Sequence, residues 1–299
     1  MAKKVKSLGF LEIEPKYREY QAAKAVVIPA PYEATTTYGK GTKKGSTAIL
    51  AASQQVELYD HQLGTEPYKI GIATMAAIKM NSGNYREKVG SSVAQVLKDK
   101  KFPILIGGEH SLTYGAVKAS VEKYPDLSVL QIDAHADLRD VYYRSKWNHG
   151  CVMRRILEIC PAVQVGIRSI SAEEVEFAKS SGQIERIHWA ESASAQTAAD
   201  LKALTTKIGS QLSKNVYITV DTDGFDPSII PGTGTPEPGG LDWYEVLDII
   251  KAVFRSKNVV GCDVMELSPI KGQLASEFTV AKLVYKMIGY LGANIRNRE

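Results

Sequence analysis

Cysteine is scarce: Cys151, Cys160 and Cys262 are the only three in 299 residues. They are too few and too irregularly spaced for a disulfide framework, and their usage fits a reducing cytosol. Long apolar runs are also missing. Nothing approaches the ~20 residues that cross a bilayer, and the basic opening MAKKVKSLGFLEIEP has no apolar core of the kind a signal peptide needs. A soluble, cytoplasmic protein without a membrane partner is expected. An excess of one charge is absent too, since 37 basic against 33 acidic residues leave a net +4. The pairs Lys3-Lys4 and Lys43-Lys44 and the cluster at 98–101 are scattered along the chain, whereas a nucleic-acid surface gathers its cations on one face. No nucleic acid is expected as a partner. No G-x-G-x-x-G follows a strand, and GKGTKKGST at 39–47 misses the phosphate-loop spacing, so a nucleotide cofactor is not expected.

What remains is an average globular composition, 44% hydrophobic and 23% charged, which excludes a disordered chain. A chain this long buries about three quarters of its unfolded surface, so any metal has to be argued as chemistry. Short, nearly continuous apolar runs at 25–30, 102–108, 127–134, 162–167, 215–221 and 259–267 read as strands covered on both faces. Helical stretches at 84–100, 111–123, 151–160, 197–213, 242–256 and 275–291 alternate with them. The pattern predicts an α/β chain with a mainly parallel central sheet and helices on both faces. No linker or repeat divides it, so a single domain is expected over residues 1–299, with 1–22 as an N-terminal extension.

Residues that coordinate metals gather at the ends of four of these strands. The segments are GGEHS (107–111), DAHAD (133–137), DTDGFDP (221–227) and DVMEL (263–267). Asp133, His135 and Asp137 stand at i, i+2 and i+4, which an extended backbone would point to one side. Asp221 and Asp223 repeat that spacing, and Glu266 closes the last strand. In open parallel sheets the ligand site lies beyond the carboxyl ends of the strands. Singly, His110 has an ordinary reading as a helix cap, Asp221 or Asp223 as a loop-starting residue and Glu266 as an ion-pair partner. Together, five carboxylates beside two histidines repel one another unless cations intervene. Six ligands, His110, Asp133, His135, Asp137, Asp221 and Asp223, suit two divalent ions, which lower the pKa of a water held between them. The oxygen-rich set favours Mn²⁺, with Ni²⁺ and Co²⁺ as alternatives.

With Asn148-His149-Gly150 and PGTGTPEPGG (231–240) in the same order, these motifs resemble the ureohydrolase family of arginase and agmatinase, in its agmatinase-like branch. The resemblance implies a three-layer α/β/α arginase-like fold, a dimanganese centre and hydrolysis of a guanidino group to urea and an amine. It assigns His110, Asp133, Asp137 and Asp221 to one metal and Asp133, His135, Asp221 and Asp223 to the other. It also implies Glu266 as the guanidinium-binding carboxylate, His149 as a proton shuttle and Asp137 as a second proton carrier. The resemblance further implies a homo-oligomer, a trimer or hexamer. The loop after DAHAD departs from the arginase pattern, so agmatine, giving putrescine and urea, is the expected substrate. The alternatives are N1-aminopropylagmatine, giving spermidine, then guanidinobutyrate, guanidine or arginine. Asp140, Tyr142, Tyr143 and Glu237 are candidates to meet the distal amine, while His61 and His188 are read as structural. A single-zinc deacetylase or an inert metal-stabilised interaction protein is the reading from a different class.

Overall fold

In the computed structural model, which describes residues 8–193 and 197–296, eight strands form one sheet in the order β2-β1-β3-β8-β7-β4-β5-β6. The strands are β1 (Ala25–Ala30), β2 (Ile72–Thr74), β3 (Phe102–Gly107), β4 (Leu127–Ile132), β5 (Ala162–Ile167), β6 (Ile187–Trp189), β7 (Asn215–Asp221) and β8 (Asn258–Met265). Every pairing within the sheet is parallel. The six predicted strands are present, three of them ending short of the predicted limit, 102–108 by one residue at Gly107. Segment 127–134 is a strand only to Ile132, and 259–267 only to Met265. The two edge strands β2 and β6 have three residues each, too few to show a period.

Successive strand residues alternate between two cores, as the pleat requires. Val27, Ile104, Leu130, Ile218 and Val264 face one side, where they pack with α1 (Gly45–Ser53), α7 (Ala198–Gln211), α8 (Trp243–Ser256) and α9 (Ala275–Arg296). Val26, Leu105, Val129 and Tyr217 face the other, against α2 (Tyr85–Lys98), α3 (Thr113–Lys123), α4 (Val152–Leu157) and α5 (Ala172–Ser181). A short turn of helix, α6 (Ala190–Ala193), follows β6. Of the expected N-terminal extension, residues 1–7, with the Lys3-Lys4 pair, lie outside the described residues. Phe10 and Leu11 are buried in the first core, their backbone N–H groups donating to Thr74 Oγ1 and Ser53 Oγ.

β3, β8, β7 and β4 are consecutive at the centre of the sheet, and each ends in one of the four polar clusters. The chain runs from β3 to β4 across the two intervening strands, which makes this the point where the strand order switches and a crevice opens. No helix among the described residues is long and apolar enough to cross a membrane.

Candidate metal centre and cavity

The turn out of β3 is set by glycine. A Cβ on Gly108 would stand 1.7 Å from the carbonyl oxygen of Tyr32, a distance no side chain tolerates, so glycine alone lets the chain pass and carry His110 to the sheet end. Glu266, just beyond β8, is fixed against the same turn. Its N–H donates to the Gly108 carbonyl at 2.8 Å, and its Oε1 accepts from the His110 N–H at 2.7 Å. Glu266 and Asp137 have left-handed backbones, φ +63° and +53°. Such strain in non-glycine residues costs of order 1–3 kcal/mol each and gathers at functional sites. Asp133–Asp137 is accordingly a bent segment beyond the strand rather than the extended run expected from its spacing.

The bend still brings the residues together. His110 Nδ1 lies 3.1 Å from Asp133 Oδ2, 3.1 Å from Asp221 Oδ2 and 3.4 Å from Asp137 Oδ2. Asp133, His135 and Asp223 form a second group that shares Asp133 with the first, with His135 Nδ1 at 3.0 Å from Asp223 Oδ2. The second oxygen of Asp221 accepts from the N–H of Asp223 at 3.0 Å, joining the two groups along β7.

The hydrogen bonding around His110 tests whether a cation belongs there. Thr219 Oγ1 gives its hydrogen to Asp263 Oδ1 at 2.5 Å, so at 2.8 Å from His110 Nε2 it can only accept. That puts a proton on Nε2 and turns Nδ1 toward the carboxylates. Nδ1 is buried, has no hydrogen-bond partner, and faces three carboxylate oxygens. Burial would lower the His110 imidazole, yet Asp133, Asp137 and Asp221 hold it well above its ordinary value. The nitrogen facing them calls for a positive charge, a proton or a metal ion, and an imidazole held from behind in this way is the usual form of a metal ligand. Asp133 is held similarly. Gln131 Nε2 donates to its Oδ2 at 2.6 Å, and Gln131 is in turn oriented by Gln164 and Gln183, an amide chain buried in the core.

Electrostatics agree. Burial, then repulsion from neighbouring carboxylates, pushes Asp133 and Asp221 well above the usual carboxylate range. Burial would depress His135, yet the carboxylates led by Asp223 carry it up to about 11. Asp223, which burial alone would raise, is drawn down to about 2 by His135. Acids that must share protons to coexist are what a divalent ion relieves.

Above the two groups opens a cavity of about 310 Å³ whose walls include Glu266, His149, Tyr142, Arg139, Thr235 and Glu174. Burial, then the nearby Glu109 carboxylate, raises the Glu266 carboxyl well above its ordinary value. Burial lowers the His149 imidazole below its ordinary value. Of the four candidates for the distal amine, Tyr142 lines the cavity, and Glu237 Oε1 stands 3.7 Å from His135 Nε2. Asp140 is instead committed to Arg155 at 2.6 Å, and Tyr143 is exposed. His188 bonds Gln211 at 2.8 Å, away from the cavity. Sequence reasoning missed Thr219, Asp263, Gln131, Thr35 and Glu109. For the first three a signal existed, a lone polar residue inside an otherwise apolar buried strand, which has to find a partner.

Over residues 23–289 the sequence matches the arginase family. The chain belongs to that family. This arginase-family chain is 42% identical over 300 residues to the N(1)-aminopropylagmatine ureohydrolase of Synechocystis sp., covering 97% of this chain and 95% of that one. It is 36% identical over 269 residues to the agmatinase of Pyrococcus horikoshii, covering 88% and 90%. Among solved structures it superposes on the agmatine ureohydrolase of Thermoplasma volcanium with a TM-score of 0.83 at 30% identity, covering 94% of each chain.

Proposed function

We propose that this agmatinase-like ureohydrolase cleaves agmatine to putrescine and urea. The observation that carries the reading is the placing of two carboxylate–histidine groups with Asp133 in common beneath a cavity walled by Glu266 and His149. His110, Asp133, Asp137 and Asp221 would hold one divalent ion, and Asp133, His135, Asp221 and Asp223 the second, with Mn²⁺ favoured by the oxygen-rich set. When bound, the pair supplies Lewis acidity and lowers the pKa of the attacking water. Glu266 binds the planar guanidinium, a geometry that suits a carboxylate. One of its oxygens is already tied to the His110 N–H, which fixes the carboxylate against the sheet end. Asp137 takes the proton that the water loses on attack at the guanidinium carbon. His149 protonates the leaving amine and exchanges that proton with solvent.

The Synechocystis relative is named for N1-aminopropylagmatine, which speaks for a second reading with the same chemistry and a longer tail. A cytosolic location and assembly into trimers or hexamers extend the proposal. Urea release by Mn²⁺-loaded protein tests it across agmatine, N1-aminopropylagmatine, guanidinobutyrate, guanidine and arginine, with Asp223→Ala as the blank. Agmatine should give the highest kcat/KM. A higher value for the aminopropyl compound would transfer the substrate assignment, and no urea with Mn²⁺, Ni²⁺ or Co²⁺ would overturn the reading.

A further inference from the structure

Beside the cavity, outside both ligand groups, three side chains from distant parts of the chain form a line. Glu109 is fully buried and accepts at both oxygens. The backbone N–H groups of Ala34 and Thr35 donate to its Oε2 at 2.5 and 2.7 Å, while the hydroxyls of Ser111 and Thr35 donate to its Oε1 at 2.5 and 2.9 Å. Thr35 Oγ1 then touches His149 twice, with the backbone N at 3.0 Å and the ring Nδ1 at 3.1 Å.

A hydroxyl has one hydrogen to give and two lone pairs to receive. The hydrogen of Thr35 goes to the carboxylate, because a bond to a charged acceptor is the stronger one. Both lone pairs then receive, one from the His149 backbone N–H and the other from the ring. The ring contact at Nδ1 is therefore an N–H donating to Thr35, and Nε2 is the nitrogen that carries the lone pair.

We infer that Thr35, anchored by Glu109, is a positioning residue that holds His149 in its Nδ1–H tautomer, so that Nε2 is the atom that takes up and releases the proton. The inference rests on His149 being the proton carrier of the proposed reaction. It accounts for a carboxylate buried one residue before His110 that touches neither ligand group, and for a threonine 114 residues away in sequence that makes two contacts with one histidine. When Nε2 gains a proton the imidazolium keeps the same bond to Thr35, with Glu109 behind it, so the ring need not turn over between the two halves of a proton transfer.

The chain has five histidines, few enough for the tautomer to be read directly. Protein labelled with ¹⁵N-histidine and loaded with diamagnetic Zn²⁺ is examined by ¹H–¹⁵N correlation NMR, with His149→Gln identifying the resonances that belong to His149. The wild type should show a protonated Nδ1 and an unprotonated Nε2; the reverse overturns the inference without any variant at Thr35. Thr35→Val should lose that preference, and Thr35→Ser should keep it. In urea release, Thr35→Val should lower kcat by about 10–100-fold with KM within about threefold, part of the 10²–10⁴ that a positioned acid–base group contributes. Thr35→Ser should recover most of the loss. If His149→Gln impairs kcat and Thr35→Val does not, the positioning role is wrong and the proton-carrier reading stands. If His149→Gln retains the wild-type kcat, the proton-carrier reading falls and the inference with it.

Discussion

Replacing Thr219 by valine removes one oxygen from the centre of the sheet and nearly nothing else, because the two side chains have the same shape. The loss is nevertheless specific. His110 Nε2–H, buried at the end of β3, loses its acceptor at 2.8 Å, and Asp263 Oδ1 loses its donor at 2.5 Å while Oδ2 keeps the Tyr217 hydroxyl at 3.0 Å. A buried N–H left without a partner costs about 1–3 kcal/mol, and the imidazole is then free to turn or to change tautomer. Removing the partner behind a metal-ligating histidine commonly weakens metal binding by about 10–100-fold, or about 1.4–2.7 kcal/mol. The effect should be confined to the ion that uses His110. The group of Asp133, His135 and Asp223 is held by separate bonds, from the N–H of Ala134 to Asp223 Oδ1 and from the N–H of His135 to Asp133 Oδ1. Titration calorimetry of Mn²⁺ into metal-free Thr219→Val should therefore show one of two binding steps weakened by that factor and the other within about threefold of wild type. Equal weakening of both steps, or no change in either, would refute the claim that this hydroxyl fixes His110 for one ion.

Two further outcomes follow from packing and charge. Gly108→Ala should fail to fold or lose more than about 4 kcal/mol in a thermal melt, since the new methyl would lie 1.7 Å from the Tyr32 carbonyl; a melt within a few degrees of wild type would refute it. On the far side of the molecule, buried Asp60 is paired with Lys286 at 2.8 Å, with Lys282 and Glu57 as the neighbouring charges. Burial alone would raise the Asp60 carboxyl, yet Lys286 holds it below its usual value. The pair's stabilisation is thus complete above the unfolded carboxylate value of about 3.9 and is lost as pH falls through the lower folded one. Lys286→Met should cost about 3–5 kcal/mol at pH 7, and its deficit against wild type in urea unfolding should narrow below pH about 4.

The candidate ligand set was legible because each cluster follows a nearly continuous apolar strand, buried on both faces, where a charge stands out. DAHAD, DTD and GGEHS show themselves for that reason. The bend at Asp137 could not be read, since its left-handed backbone is imposed by tertiary contacts such as the Arg154 N–H donating to its carbonyl. Strands β2 and β6 were invisible because three residues carry no period. Helix α5 was readable and went unread: Ser171 and Glu174 form a capping box at its start, and Glu174 also accepts from the Leu138 N–H, tying the helix to the loop beyond DAHAD. The supports behind the ligands were the least legible part. Thr35 and His149, or Gln131, Gln164 and Gln183, come together only through the order of strands and loops, which no local pattern encodes.

The place of β8 has a consequence for how the molecule assembles. The last strand in the chain fills the gap between β3 and β7, so before residues 258–265 arrive the sheet is two separate half-sheets with bare inner edges. His110 belongs to one half and the DAHAD and DTD aspartates to the other. A nascent chain cannot seat its full set of ligands until nearly its whole length has emerged. Divalent ions held by the proposed ligands would then fasten the two halves across that seam, which would tie possession of metal to completion of the fold.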